Sequence, residues 1–297
     1  MIKGNTTSAV IVTYQPNETL LNNLIKTLTN QVEYIIIVDN ASNSCFLKEL
    51  VQPNKTNINL IPLPFNVGIA KALNIGIYEA TKTSDFVIFF DQDSDPEKGL
   101  VKTLLHVFYE AKTNNNICAV GPQFFDSRTG EKSSFYSEEN HNESLSQRET
   151  PDWVLADHLI TSGSLIPISI FSSIGYMKES LFIDLVDIEW CLRAKSKGFT
   201  CIGTSLTTMT HSIGLDIVNI GKFHIYKHTL TRYYYQIRNR VWLCQQPYVL
   251  LSWRIRYGFR IPFLALLYIY YSSNKLKTFK YMLLALYHGL FNRLGKL

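Results

Sequence analysis

One stretch limits the possible folds more than any other: residues 86–96, which read FVIFFDQDSDP. Its first five residues are apolar or aromatic, a run too short for a typical helix and typical of a strand that is buried on both faces. The run ends at carboxylates on alternate positions, Asp91, Asp93 and Asp95. Ligands bind at the carboxyl ends of the strands in open α/β sheets. Carboxylates gathered there repel one another unless a cation joins them, and their hard oxygens suit Mg²⁺ or Mn²⁺.

The same Asp-x-Asp-x-Asp pattern also opens an EF-hand loop, which requires glycine at its sixth position and glutamate at its twelfth. Those positions hold Pro96 and Lys102, so an EF-hand is excluded. A solvated turn without a metal stays open as an alternative, because short motifs recur by chance. In either case we expect Asp95 to cap a helix whose first residue is Pro96.

Strand-like and helix-like segments alternate along the first part of the chain. Strand patterns occupy residues 8–14, 33–40, 58–63, 86–90 and 117–121, and helical patterns lie between most of them. This alternation predicts βαβ units and a largely parallel sheet, and therefore an α/β fold with helices flanking a sheet. We interpret residues 124–152, which are polar and rich in turn-forming residues, as an irregular excursion. A hydrophobic content of 46% is ample for the core of such a domain.

Charge is divided unevenly along the chain. Residues 1–216 carry 16 Lys and Arg against 24 Asp and Glu, whereas residues 217–297 carry 13 Lys and Arg and no acidic residue. We therefore predict a catalytic domain over 1–216 and a C-terminal, mainly helical region over 217–297 with an anionic partner. The apolar run at residues 261–271 has 11 residues, whereas a membrane-spanning helix needs about 20. Basic residues mixed with aromatic ones fit a helix that lies in a membrane interface.

Two further features favour the cytosol. The five cysteines are scattered, odd in number and without a Cys-x-x-Cys pair, so we expect them to be reduced. Residues 1–14 have the pattern of neither a signal peptide nor a transmembrane helix.

Several short segments together resemble glycosyltransferase family 2, inverting enzymes of the GT-A fold, and most closely its bacterial rhamnosyltransferase branch. The segments are VTYQP at 12–16, VDNAS at 38–42, NVGIAKALNIGI at 66–77, FFDQDSDP at 89–96, FIDLVDIEWCLRAKSKGF at 182–199, His211, and YYQIRN at 234–239. They run from about residue 9 to about residue 245, and their common order and spacing carry the resemblance. It implies a GT-A-type mixed sheet, with a nucleotide-sugar half over about 1–121 and an acceptor half over about 122–216.

The resemblance also implies where the donor binds. Asp39 resembles the carboxylate that reads the pyrimidine base, although a turn-forming aspartate in DNAS is the alternative. Small residues such as Gly68 let a helix approach the ligand closely, and Lys71 would reach a phosphate as a point charge. The full set of expected nucleotide-sugar contacts is Thr13, Tyr14, Asp39, Asn66, Gly68, Lys71, Asp91 and Gln92.

A metal ligand and a general base are implied in the same way. Asp93 is the best candidate for a direct ligand of Mg²⁺ or Mn²⁺, and His211 resembles the family's late histidine at the metal or diphosphate. Asp187 occupies the position of the family's base, although acids are favoured near a helix N-terminus in any protein. The residues expected on the acceptor side are Ser162, Gly163, Asp184, Glu189 and Trp190.

These features predict a metal-dependent inverting glycosyltransferase on the cytoplasmic face of the membrane. The resemblance implies dTDP-L-rhamnose as donor and, as acceptor, a saccharide on a polyprenyl diphosphate, in surface polysaccharide (O-antigen or capsule) synthesis. Another donor, such as UDP-galactose or UDP-glucose, is the first alternative. A nucleic-acid-binding protein with a basic aromatic tail is an alternative of another class. We expect no nucleic acid partner, because the acid-rich residues 1–216 would repel phosphates.

Overall fold

The structure, a computed structural model, describes residues 5–49, 57–113, 115–126, 132–137, 152–211, 216–220 and 223–297. Most of the predicted excursion at 124–152 lies outside these residues. The first part of the chain alternates strands and helices as predicted. Its elements are β1 (Thr7–Thr13), α1 (Glu18–Leu28), β2 (Tyr34–Asp39), α2 (Phe46–Glu49), β3 (Ile58–Pro62), α3 (Ile69–Ala80), β4 (Phe86–Asp91), β5 (Asp95–Pro96), α4 (Leu100–Ala111) and β6 (Ile117–Asp126).

The middle of the chain completes the sheet and adds shorter helices. Its elements are β7 (Trp153–Ala156), β8 (Leu165–Pro167), α5 (Ile170–Ile174), a 3₁₀ turn (Glu179–Leu181), α6 (Val186–Ser196) and β9 (Thr200–His211). A separate hairpin of β10 (Asp216–Ile220) and β11 (Phe223–Lys227) follows. The C-terminal region is helical: α7 (Leu230–Leu243), α8 (Leu251–Tyr271) and α9 (Lys275–Leu290).

Strands β1 to β9 form one mixed sheet in the order β3-β2-β1-β4-β8-β6-β9-β5, with β7 paired to β9. The β3-β2-β1-β4 half is parallel, and β8 is antiparallel to both of its neighbours. In this half the register pairs Thr13 with Asp39 and Val12 with Asp91. The carboxyl ends of β1, β2 and β4 therefore meet at one edge of the sheet, where a ligand of an α/β protein binds.

The apolar run of β4 is buried because both faces of the sheet are covered. Val87 and Phe89 face the core formed with α3 and α6, whereas Ile88 and Phe90 face the core formed with α1 and α4. Strand residues alternate between the faces, so five consecutive apolar residues supply both cores. Burying each such side chain contributes roughly 1.5–3 kcal/mol, which fixes the carboxylates at the end of β4 in place.

The predicted start of the helix after β4 is wrong. Asp95 and Pro96 pair with β9 as the two-residue strand β5, and α4 begins at Leu100 after Gly99, whose φ is 85°. Proline lacks an N–H group and is tolerated at a sheet edge. Asp95 and Pro96, which favour the start of a helix in the sequence, are therefore part of a strand in the structure.

The C-terminal helices pack on the core formed with α3 and α6 and on one another. Their own core contains Tyr233, Ile237, Ile261, Tyr268 and Met282. Among the described helices, none has the length and hydropathy required to cross a bilayer. α8 is 21 residues long but contains Pro262 and several arginines.

Candidate active site

The edge formed by β1 and β2 is built around the carboxylate of Asp39. Thr13 Oγ1 donates to Asp39 Oδ1 at 2.8 Å, and Ser42 donates from its amide to Oδ2 at 2.9 Å and from its hydroxyl to Oδ1 at 2.5 Å. Asp39 is 5% exposed. These bonds hold Asp39 at the end of its strand. The two hydrogen bonds from Ser42 are also those expected of a turn-forming aspartate, which was the alternative interpretation of Asp39.

Two asparagines shape the approach to α3. Asn40 Oδ1 accepts a hydrogen bond from the Val67 amide at 2.8 Å, and Asn66 Oδ1 accepts one from the Gly68 amide at 2.9 Å. The N-terminus of α3 therefore lies beside the end of β2. The first amides of α3 are bonded within the protein, because the Phe182 carbonyl accepts from Ile69 and Ala70.

Gly68 provides a close contact between the two halves of the sequence. Its φ is 87°, and a Cβ there would lie 2.5 Å from the ring and 2.6 Å from the carbonyl oxygen of Phe182. That carbonyl accepts the amide of Ile69 at 2.7 Å. Only glycine fits at this position, because it needs both a positive φ and the absence of a side chain.

Tyr14 and Gln92, two residues predicted to contact the nucleotide-sugar, lie at the surface. The side chain of Tyr14 is 51% exposed. The side-chain amide of Gln92 forms two hydrogen bonds with the backbone of Tyr14: its Oε1 accepts from the Tyr14 N–H at 2.8 Å, and its Nε2 donates to the Tyr14 carbonyl at 3.3 Å. Lys71 extends towards Glu179, with Nζ 3.8 Å from its carboxylate. Gln92 thus joins β1 to the turn after β4, whereas Lys71 lies on the outer side of α3 against Glu179.

The turn after β4 carries the predicted metal ligand. Ser162 Oγ accepts the Asp91 amide at 3.1 Å and lies 2.7 Å from Ser94 Oγ, and Ser94 closes the turn by donating its amide to the Asp91 carbonyl. No described residue donates a hydrogen bond or an ion pair to the carboxylate of Asp93, which is partly exposed. An oxygen donor of this kind fits Mg²⁺ or Mn²⁺, which bind through one or two carboxylates and substrate phosphates.

The strand pairing brings His211 towards this turn. Asp95 pairs with Thr210 in the β5–β9 ladder, and His211 is the next residue of β9 and pairs with Asp126. Its backbone therefore lies beside the segment that carries Asp93. The side chain of His211 lies outside the described part of the structure. Among the described residues, no group of three His, Cys, Asp or Glu side chains forms a metal site by itself.

Asp187, the predicted base, is the first acid of α6. Its Oδ2 accepts the Thr161 amide at 3.2 Å and its Oδ1 accepts the amide of Ile188 at 2.8 Å. Thr161 precedes Ser162, which holds the turn of Asp91 and Ser94. One dipeptide therefore connects the predicted base to the predicted metal-binding turn. The following Gly163, with a φ of 80°, donates its amide to Phe89 in β4 at 2.7 Å.

The loop before α6 is strained and is held by α7. Phe182, Asp184 and Leu185 all have positive φ values, between 62° and 66°, a conformation that is unfavourable for residues with a side chain. Asn239 Nδ2 lies within 3.1 Å of the carbonyls of Leu181, Ile183 and Asp184. These hydrogen bonds offset the strain and position the start of α6, and with it Asp187.

Asp184 lies in this loop beside an arginine of α7. Arg232 Nε donates to its two carboxylate oxygens at 3.1 and 3.3 Å. Burial raises the pKa of Asp184, and the charge of Arg232 opposes that increase. The ion pair therefore fixes the predicted acceptor-side carboxylate against the C-terminal region.

Glu189 and Trp190 point away from this edge. Glu189 is completely buried and forms an ion pair with Arg193 at 2.8 Å, and it also accepts the Tyr248 hydroxyl at 2.8 Å. Trp190 is 1% exposed and donates its indole N–H to Gly175. Asp187 and Glu189 are two residues apart on a helix, so their side chains lie on nearly opposite sides. The structure does not bring Glu189 and Trp190 together with Asp187.

Sequence reasoning missed the groups that hold this site together. Thr161, Arg232 and Asn239 position Asp187 or its loop, and Arg238 adds a bond of 2.8 Å to the Leu181 carbonyl. The YYQIRN segment contains Arg238 and Asn239, so the resemblance contained a signal for them. That these two residues hold a loop about 55 residues earlier in the chain could be seen only in the folded structure.

A GT-A-type glycosyltransferase is the class that this mixed sheet and its edge of carboxylates define. A sequence profile of glycosyl transferase family 2 matches residues 8–173. Over 290 residues the chain is 35% identical to the dTDP-rhamnosyl transferase RfbF of Shigella flexneri, covering 95% of this chain and 94% of that protein. The chain belongs to glycosyl transferase family 2.

Solved structures share the fold. The crystal structure of GalNAc-T7 with UDP, GalNAc and Mn²⁺ superimposes with a TM-score of 0.59 at 13% identity, covering 87% of this chain and 55% of that one. The structure of TarS residues 1–349 from S. aureus in complex with UDP-GlcNAc gives a TM-score of 0.60 at 14% identity, covering 97% and 82%. These likenesses confirm the predicted GT-A-type fold.

Proposed function

We propose that this protein is an inverting rhamnosyltransferase that moves L-rhamnose from dTDP-L-rhamnose onto a lipid-linked saccharide during surface polysaccharide synthesis. The relative RfbF, named a dTDP-rhamnosyl transferase, supports the donor and the reaction. The observation that carries the proposal is the Thr161–Ser162 connection. It holds Asp187 and the Asp91–Ser94 turn in one rigid arrangement.

Each carboxylate has a separate task in this proposal. Asp39, with Thr13 and the α3 N-terminus near Gly68, binds the nucleoside part of the donor. Asp93, with Asp91 behind it and His211 beside it in the ladder, would hold Mg²⁺ or Mn²⁺. That ion would stabilise the charge on the departing diphosphate. Asp187 removes the proton from the acceptor hydroxyl as the acceptor oxygen bonds to the anomeric carbon and the nucleoside diphosphate leaves from the opposite face.

The C-terminal helices provide the proposed location of the reaction. Helix α8 exposes Ile255, Phe259 and Phe263, and α9 exposes Leu276 and Leu283. Residues 217–297 contain no acid. We place the protein on the inner face of the cell membrane, bound peripherally, where a polyprenyl-diphosphate-linked acceptor is present. Apolar burial and attraction to anionic lipid both support such binding.

A donor screen tests this proposal. Purified protein would be incubated with dTDP-L-rhamnose, UDP-galactose or UDP-glucose, with Mg²⁺ or Mn²⁺, and release of nucleoside diphosphate would be measured. We expect the fastest release from dTDP-L-rhamnose. Preferential release from a UDP-sugar would replace the donor assignment but retain the reaction. No release from any of them, in the presence of a membrane extract that supplies acceptors, would contradict glycosyl transfer itself.

A further inference from the structure

The residues that follow α9 return to the edge of the sheet where Asp39 lies. Lys296 Nζ donates to the backbone carbonyl of Asn66 at 3.3 Å. The amide of the next residue, Val67, donates to the side chain of Asn40 at 2.8 Å, and Asn40 directly follows Asp39 in the sequence. One peptide unit therefore connects the ammonium group of Lys296 to the border of the proposed nucleotide site.

The backbone on both sides of Lys296 is held by α7. The carbonyl of Gly295 accepts a hydrogen bond from Nη1 of Arg238 at 2.5 Å. The amide of Leu297 donates to the hydroxyl of Tyr235 at 2.7 Å. Both partners belong to the YYQIRN segment, whereas the side chain of Lys296 itself is exposed. The position from which this side chain extends is therefore fixed.

The same part of α7 also contacts the loop that lies against the start of α3. The rings of Tyr235 and Phe182 are stacked, with their centres 5.1 Å apart and an angle of 23° between the planes. The carbonyl of Phe182 accepts the amides of Ile69 and Ala70, the first helical residues after Gly68. The segment that carries the lysine, the loop and the start of α3 are therefore packed together as one unit.

The backbone amides at the start of α3 already have partners within the protein. Those of Val67 and Gly68 donate to the side chains of Asn40 and Asn66, and the next two donate to the carbonyl of Phe182. A phosphate at a helix N-terminus normally binds to such amides. A phosphate beside Asn66 therefore requires a donor from a side chain.

Two lysines lie on this side of the site and differ in their partners. Lys71 extends towards Glu179, with Nζ 3.8 Å from its carboxylate. Among the residues that the structure describes, none forms an ion pair with Lys296, whose Nζ donates to the neutral carbonyl of Asn66. An ammonium group has three N–H donors, so hydrogens of Lys296 remain for an anion, and no described carboxylate compensates its charge.

We propose that Lys296 binds the diphosphate of the nucleotide-sugar donor. This inference rests on the proposed function for the position of the donor. With the nucleoside at Asp39 and the metal-binding turn at Asp93, the diphosphate lies at the edge between the two strand ends, and Lys296 approaches it from the side of α3. Among the parts of a nucleotide sugar the diphosphate carries the negative charge, which a lysine attracts as a point charge.

Binding of dTDP and of thymidine to the full-length protein tests the proposal. Titration calorimetry would compare the wild type with Lys296→Gln in one Mg²⁺ buffer of constant ionic strength. We expect the affinity for dTDP to fall by about fivefold or more, the effect of losing a charge-assisted hydrogen bond. The affinity for thymidine should not change, because thymidine has no phosphate. Lys296→Arg should keep most of the affinity for dTDP, because it keeps the charge.

Lys197→Gln is the matched control. Lys197 is also exposed, and its Nζ donates to the backbone carbonyl of Ser173 at 2.7 Å. It lies at the C-terminal end of α6, the end opposite to Asp187. Its substitution removes a lysine and a bond to a backbone carbonyl, as Lys296→Gln does, and should leave dTDP binding unchanged.

Several results would overturn the proposal. Equal weakening of dTDP and thymidine binding would give Lys296 a structural role at Asn66, and unchanged dTDP binding would remove it from the site. Equal effects of Lys197→Gln and Lys296→Gln would also contradict the proposal. Vesicles of phosphatidylglycerol provide a second source of phosphate, and they should bind Lys296→Gln as well as the wild type. If vesicle binding falls and dTDP binding does not, Lys296 contacts lipid headgroups and the proposal is wrong.

The failure of this inference is distinguishable from failure of the proposed function. In steady-state transfer assays, Lys296→Gln should raise the KM for dTDP-L-rhamnose more than it lowers kcat, because the diphosphate is bound before and during transfer. Normal transfer with an unchanged donor KM in the variant would refute the role of Lys296 alone. If the wild type transfers no sugar while dTDP binding depends on Lys296, the reaction is refuted and the diphosphate contact remains. If the donor is a UDP-sugar, Lys296→Gln should weaken the binding of UDP in the same way.

Discussion

Asp93 differs from Asp39 and Asp187 because no described residue donates a hydrogen bond to its carboxylate. Its charge is therefore available for a cation. We expect the Asp93→Ala variant to lose nearly all sugar-transfer activity and EDTA to abolish the activity of the wild type. In both cases the diphosphate would leave without charge compensation. Steady-state assays with and without added Mn²⁺ measure both effects. Asp95→Ala, an exposed carboxylate of the same turn, is the control and should keep most of its activity. Full wild-type activity in chelator would contradict the metal assignment.

Asp187 and Glu189 offer a second comparison between single residues. Asp187→Asn keeps the size of the side chain but removes the base, so we expect kcat to fall by about a hundredfold or more with donor binding retained. Glu189→Gln leaves Arg193 without its buried partner, which costs about 3–5 kcal/mol of stability. Its effect should therefore appear in thermal unfolding, and the folded fraction should retain its kcat. The reverse pattern would place the base at Glu189.

His228 connects stability to pH. Burial, with a smaller contribution from the charge of Arg232, lowers its pKa from 6.5 to about 4. Below about pH 6.5 His228 is protonated in the unfolded chain but stays neutral in the folded protein. Acidification therefore favours unfolding until the pH reaches the pKa of His228 in the folded protein. His228→Gln should remove this part of the pH dependence. Urea unfolding near neutrality and at about pH 5 would measure it. If the free energy of unfolding changed as much between the two pH values in the variant as in the wild type, the assignment to His228 would be contradicted.

At the scale of elements, the loop at residues 181–185 depends on α7 more than on its own sequence. Asn239 is completely buried and reaches three of the loop's carbonyls. We expect Asn239→Ala to cost about 1–3 kcal/mol and to lower kcat, because the start of α6 and Asp187 would shift. Thermal unfolding and kcat measured on the same preparation test both parts. A variant that loses stability with an unchanged kcat would show that the loop does not position the base.

The same elements show what sequence patterns can and cannot predict. The buried run of β4 and the alternation of strands and helices predicted the α/β sheet and the edge where Asp39 and Asp91 meet. The helix start at Pro96 was wrong because pairing with β9, 110 or more residues later in the chain, outweighs the local preference. The opposite directions of Asp187 and Glu189 follow from where α6 begins, which the strained residues Asp184 and Leu185 determine. Such long-range contacts leave no local pattern.

At the scale of the whole molecule, exposed apolar residues concentrate on the two last helices. Phe259, Phe263 and Leu266 on α8 are between 65% and 81% exposed, and Phe279 and Leu283 on α9 are about half exposed. Exposed apolar surfaces of this extent mark binding sites. With three exposed lysines on α9 (Lys275, Lys277 and Lys280), we expect attraction to anionic lipid of about 1 kcal/mol per charge near the surface.

Co-sedimentation with anionic and neutral vesicles at low and high salt measures this binding. The double variant Phe259→Glu, Phe263→Glu should lose the salt-resistant part, and Lys277→Glu, Lys280→Glu should lose the salt-sensitive part. Tyr78→Glu is a matched control, because Tyr78 is 64% exposed on α3 in the catalytic half. Equal binding to both kinds of vesicle, unchanged by salt, would contradict the electrostatic contribution.

The contact between Gly68 and Phe182 has a genetic consequence. An added Cβ at position 68 would meet the carbonyl oxygen of residue 182 at 2.6 Å, and every amino acid carries that oxygen. A Gly68→Ala lesion therefore cannot be repaired by any second substitution at position 182. A selection for suppressors of that lesion should return true revertants, or changes elsewhere that move the whole 181–185 loop.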